Sequence, residues 1–117
     1  MFRIELFSQL SGVSIQTLRY YDQFNILKPK IVSDKTGFRY YSSKQLTTIK
    51  KIEALKALGF QIEEIKELVD QNVSLDQVED LLFKKKRKLR MQLQILQNQL
   101  DELNERIEKA KTTVEYK

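Results

Sequence analysis

Ser14-Ile15-Gln16-Thr17-Leu18-Arg19-Tyr20-Tyr21-Asp22 sets a hydroxyl residue before a run with helical spacing. Ser14 reads as an N-cap, its oxygen able to accept from a free amide of the following turn. Ile15, Leu18 and Tyr21/Asp22 mark successive turns, so the spacing predicts a helix from Ile15 to Phe24. Asn25 tolerates the left-handed conformation that closes a helix, and Pro29 forbids continuation. Upstream, Ile4, Leu6, Phe7 and Leu10 fit a short helix that Gly12 ends. Two short helices joined by a tight, glycine-containing turn form a helix-turn-helix.

On the second helix, Gln16, Thr17 and Tyr20 project to one side, while Leu18 and Tyr21 can turn toward a core. Glutamine can read an adenine edge and threonine a thymine methyl; Arg19 and the tyrosine hydroxyls suit phosphate or guanine. The same letters would also serve an ordinary amphipathic helix with packed tyrosines and a solvated arginine. The preceding helix, the tight turn and the basic surroundings favour the DNA-reading alternative.

Farther along, Lys30–Ser33 and Phe38–Tyr41 are β-branched or aromatic around the turn-forming Asp34-Lys35-Thr36-Gly37, which predicts a β-hairpin. Lys28, Lys30, Lys35 and Arg39, interleaved with Tyr40 and Tyr41, suit a ribbon lying along a phosphate backbone, while Phe38 and one tyrosine cap the core. Ser42 and Gln45 form a capping box for a third helix reaching about Leu58, with Leu46, Ile49, Ile52 and Leu55 inward. Gly59 closes it, and a fourth helix runs from about Ile62 to Gln71.

Ser74 and Gln77 form another capping box, and neither glycine nor proline follows. From Leu89 the apolar residues continue at Leu93, Leu96, Leu100, Leu103, Ile107, Ala110 and Val114, in steps alternating between four and three. That is a coiled-coil seam. A helix of roughly 38 residues is about 57 Å long, and a lone one would leave its stripe in water. A second copy of the chain is the simplest partner. Lys84–Arg90 reads as a solvated helix face rather than a nucleic-acid patch.

Composition narrows the function. The 117 residues contain 21 Lys/Arg against 16 Asp/Glu, a net charge of +5, and neither histidine nor cysteine. Residues 1–59 carry 10 basic against 4 acidic side chains and residues 60–117 carry 11 against 12, so the positive potential belongs to the first half. A polyanion is the natural partner for that half. Disulfides, thiolate metal sites and thiol catalysis are excluded, most acid–base machinery is missing, and there is no glycine-rich phosphate loop. The chain reads as neither an enzyme nor a metal or cofactor protein. No apolar run is long enough for a membrane span and the start lacks a signal peptide's apolar stretch, which points to a cytoplasmic protein.

Four segments together resemble the MerR family of bacterial transcription regulators: Ile4–Tyr21, Leu27-Lys28-Pro29, Gly37–Ser42 and Leu58–Ile65. The resemblance implies a mainly α fold. Residues 1–72 would form a winged helix-turn-helix domain with a small β-hairpin wing, and 73–117 a long helix forming an antiparallel coiled-coil dimer. It further implies that the helix bearing Gln16, Thr17, Arg19 and Tyr20 enters the major groove. The hairpin bearing Arg39 and Tyr40 would be a first wing, and the turn at Gly59–Gln61 part of a second. Such regulators bind pseudo-palindromic double-stranded promoter DNA as homodimers. They bend and untwist it, and so act on RNA polymerase indirectly, against a deformation cost of several kcal/mol, on the order of a bent site's.

The expected DNA-binding set is Ser14, Gln16, Thr17, Arg19 and Tyr20, with Tyr21, Lys28, Lys35, Arg39 and Tyr40 on phosphates, helped by Lys56. The expected dimer contacts are Leu89, Leu93, Leu96, Leu100, Leu103 and Ile107. The sequence departs from the family pattern in places. Asn25 stands where glycine is common, Gln61 replaces a capping serine and should cap more weakly, and the cysteines of metal-sensing members are missing. The chain ends soon after the dimer helix, as expected of a stand-alone regulator or of the N-terminal part of a longer, multidrug-type one. The rival readings are an architectural, excision-type DNA binder and a helical interaction adaptor.

Overall fold

The computed structural model describes residues 1–70 and 72–115, with side chains as far as Thr112. The expected helical position of Gln71 and the Val114 side chain of the seam lie outside the described residues. Two compact units follow one another, Met1–Leu75 and the stretch from Asp76 onward.

The first unit begins with a two-residue strand, β1 (Phe2–Arg3), and runs straight into α1 (Ile4–Ser11). Gly12, at φ 75°, ends α1 by donating its N–H to the Ser8 carbonyl. Ser14 caps α2 (Ile15–Gln23), its Oγ accepting the Thr17 N–H at 3.1 Å. Past α2, Asn25 sits at φ 60°, so a non-glycine residue takes the left-handed turn as expected. The hairpin strands β2 (Ile31–Val32) and β3 (Arg39–Tyr41) are shorter than their sequence pattern. Gly37, at φ 73°, closes the loop between them with an N–H donated to the Ser33 carbonyl at 2.8 Å.

The hairpin is also wider than expected. β1 pairs antiparallel with the free edge of β3, Phe2 opposite Tyr41 and Arg3 opposite Tyr40, giving a three-stranded sheet ordered β1-β3-β2. Two residues carry no period, which is why this strand is invisible in the sequence.

Helix α3 (Ser43–Ala57) starts at the expected capping box, the Ser42 N–H donating to Gln45 Oε1 at 2.9 Å. The same Gln45 amide donates to the Lys28 carbonyl, tying the α2–β2 connection to α3. Gln61 closes a second capping box with Glu64 at the start of α4 (Ile62–Val69), so the replaced serine leaves the reciprocal cap in place.

The core lies where α1, α2, α3 and β3 meet. Phe7, Leu18, Tyr41, Ile49 and Ile52 are fully buried. Each such side chain contributes about 1.5–3 kcal/mol by leaving water. Phe7 and Tyr41 stack at 4.4 Å between ring centroids, 14° from parallel, which fastens α1 to the sheet. Phe38 does not cap the core as expected. It is 40% exposed, and the Arg3 guanidinium lies 3.8 Å from its ring centroid. A strand turns alternate side chains to opposite faces; Tyr41 has the inward face.

Helix α5 (Leu75–Glu115), one helix of 41 residues, begins at the last residue of the first unit and forms the second from Asp76 onward. Its seam residues Leu89, Leu93, Leu96, Leu100, Leu103 and Ile107 are between 43% and 67% exposed. Among the described residues no helix is long and apolar enough to cross a membrane.

Candidate nucleic-acid interface

The surface of α2 follows from its helical period. Leu18 and Tyr21 are buried, which leaves Gln16, Arg19 and Tyr20 outside. Thr17 is half-buried, and its hydroxyl accepts from Ser14 Oγ at 2.9 Å, so the cap also orients this side chain. Tyr20, 41% exposed, tilts against Phe24 with ring centroids 4.5 Å apart. That contact restricts the ring before any ligand arrives.

Gln16, Thr17 and Tyr20 share a cavity of about 420 Å³ with Lys56 of α3 and Phe60 and Ile62 beyond it. The structure thus brings Lys56 from the last turn of α3 to the rim beside the expected base-reading residues, and that turn precedes Gly59–Gln61. On another side of the unit, Arg19 and Arg39 line a second hollow with Arg3, Gly37 and Phe38. Lys35 is exposed in the hairpin loop and Tyr40 is half-buried on β3.

Tyr21, expected among the phosphate contacts, lies turned into the unit. It is only 2% exposed, and its hydroxyl donates to Glu53 Oε1 at 2.7 Å, joining α2 to α3. Burial, then the hydrogen bond and charge of Glu53, hold its phenol well above the ordinary range. Its neighbour Tyr20 is the exposed one of the pair.

Lys28 and Arg39 are placed where expected, but they are paired. Asp22, on the last turn of α2, accepts from Lys28 Nζ at 3.3 Å and from the Arg39 guanidinium at 3.0 Å. One carboxylate therefore links the helix to the ribbon. Burial, with the Asp22 charge next, pushes the neighbouring Tyr41 phenol up, while Arg39 and Arg19 oppose it.

Asp22, Glu53 and Arg3 are the residues that sequence reasoning missed. An acid three positions after an arginine looks like surface charge until the hairpin folds back onto it. Arg3 gains a place only through β1.

The sequence matches the MerR HTH family regulatory protein family over residues 2–72. It is 32% identical over 104 residues to the HTH-type transcriptional activator mta of Bacillus subtilis, spanning 85% of this chain and 40% of that protein. It is 35% identical over 89 residues to the multidrug-efflux transporter 1 regulator of the same organism, spanning 76% of this chain and 31% of that one. A cryo-EM structure of an EcmrR–DNA complex in EcmrR-RPo superposes on 95% of this chain and 40% of its own, with a TM-score of 0.81 and 29% identity. The chain thus spans less than half the length of these relatives.

Proposed function

The chain belongs to the MerR HTH family, and from that premise we propose that it is a sequence-specific, double-stranded DNA-binding transcription regulator acting as a homodimer. Helix α2 reads bases through Gln16, Thr17, Arg19 and Tyr20, with Ser14 fixing its N-terminus. Lys28, Lys35, Arg39, Tyr40 and Lys56 hold phosphates. The partner is pseudo-palindromic promoter DNA, which the dimer bends and untwists, reaching RNA polymerase through that change of shape. The protein works in the cytoplasm and has no catalytic role.

The arrangement of the first unit carries this reading. The exposed flank of a capped helix, a cationic ribbon and Lys56 all belong to one small body with a net positive charge in its sequence. Base-reading groups and phosphate-holding groups are both needed, since the latter position a protein without specifying sequence. The relatives named above are described as a transcriptional activator and a transporter regulator, and the EcmrR structure contains DNA.

The exposed leucine seam of α5 supports dimerisation into residues 73–117 as a coiled coil. Two copies, each offering one α2, fit a site with two-fold symmetry. The test is binding to the DNA upstream of the protein's own gene, measured against shuffled DNA over a series of salt concentrations. The reading expects a specific shift whose affinity falls steeply with salt. Bending that ignores site symmetry would favour the architectural binder, and salt-independent or absent binding would favour the adaptor.

A further inference from the structure

The cleft that α2 shares with α3 and the start of α4 has a chemistry that duplex DNA does not use. Ile26, Ile52, Phe60 and Ile65 are buried side chains that form an apolar floor, within a cavity of about 420 Å³. That volume is typical of small-molecule sites, which join an apolar lining to a few polar groups. Base edges and phosphates that meet Gln16 or Lys56 are polar, so they leave the isoleucine floor without a partner.

The polar groups around that floor favour one kind of guest. Lys56 is exposed and makes no ion pair among the described residues; Glu53, the acid three places before it, receives the Tyr21 hydroxyl instead. Thr17 already accepts from Ser14 Oγ, which leaves its own hydroxyl proton to donate. Gln16, the residue before it, is exposed and adds an amide. A cation and two neutral donors suit an anionic head. Two of the lining side chains, Tyr20 and Phe60, are aromatic. Tyr20 is held against Phe24 with centroids 4.5 Å apart, so little ordering is left for a guest to impose on it. Flat rings are what such walls stack upon.

We infer that this cleft binds a small planar aromatic anion, an arenecarboxylate in its simplest form, with the ring over the isoleucine floor and the carboxylate on Lys56. Cations of the same shape are turned away by the same lysine. An occupied cleft takes Lys56 from phosphate and covers Gln16, Thr17 and Tyr20, the groups given above to base reading. Guest and operator DNA therefore exclude one another. That exclusion rests on the DNA-reading proposal; the site itself does not.

Naphthoate is the probe, titrated into the methyl-labelled full chain and followed by NMR. Saturable shifts should appear at the methyls of Ile52, Ile62 and Ile65, with the α5 leucine methyls unmoved. Naphthylmethylammonium, alike in shape and opposite in charge, should bind about tenfold more weakly. Lys56→Gln changes an exposed residue and so should leave the fold intact. It should weaken naphthoate about fivefold, the upper end for an ion pair open to solvent, and leave neutral naphthamide unchanged. Shifts confined to the α5 leucines, a titration that never saturates, equal binding of the two charges, or an unaffected Lys56→Gln chain would each overturn the site.

Affinity for the DNA upstream of the protein's own gene, read by anisotropy, should fall as naphthoate fills the cleft. Undiminished DNA affinity at saturating naphthoate would overturn the exclusion. A chain that takes naphthoate in the cleft yet ignores DNA would sink the DNA reading, and the exclusion with it, and leave the site standing.

Discussion

At the scale of residues, Asp22 restrains the cations expected to grip DNA. Its carboxylate is largely covered, whereas Lys28 is well exposed, so each ion pair is worth only about 1 kcal/mol or less. Exchange of Arg39 from Asp22 to a phosphate is therefore inexpensive. Asp22→Asn should raise affinity for unrelated DNA severalfold and steepen its salt dependence, read by fluorescence anisotropy; an unchanged slope would mean that the pairs restrain nothing. Arg39→Ala should weaken binding to every sequence and flatten the slope by about one unit. A slope equal to the wild type's would take Arg39 off the contact surface. Tyr21 yields a pH prediction. Its folded phenol holds the proton more tightly than the open chain does, whose ordinary value is 10.0. The stability this contributes is intact below that value and declines as pH rises above it, because the unfolded chain ionises first. Tyr21→Phe should lose this alkaline decline, as measured by urea midpoints on either side of pH 10. An identical decline in the variant would assign it to other groups.

At the scale of elements, what was legible in the sequence was whatever is decided locally. Ser14, Gly12 and Asn25 act within a turn of their own helices, and the structure places all three in those roles. Removing the first of these caps, by Ser14→Ala, should cost about 1 kcal/mol in chemical denaturation and loosen the start of α2. A stability within error of the wild type's would deny the cap its importance. What stayed hidden depends on distant partners. The helical period turns Tyr21 inward and Tyr20 outward, but the partner of the Tyr21 hydroxyl, Glu53, lies on another helix and could not be read locally. The inward–outward choice at Phe38 and Tyr41 is likewise set by Phe7 and by the unforeseen β1, not by the hairpin's own pattern. The expected site kept its exposed members Gln16, Arg19, Tyr20, Lys35 and Lys56 in solvent. Tyr21 is the member it turns inward, and its neighbour in sequence carries the same chemistry.

At the scale of the whole molecule, the single chain leaves the apolar stripe of α5 exposed, so under the proposed homodimer reading dimerisation and DNA binding should fail together. Replacing Leu96 and Leu103 with Asp should abolish the dimer in sedimentation and most of the affinity for a palindrome; dimers that persisted would refute the seam. The first unit has its own long-range dependence. Among the described residues, β1 pairs with β3 alone and Phe7 stacks on Tyr41 alone. A ribosome releases the chain from its head, so α1 and α2 leave the exit tunnel before the strand that anchors α1 exists. Until Tyr41 emerges, α1 has neither sheet nor ring to settle against, and the segment made first is among the last to be secured.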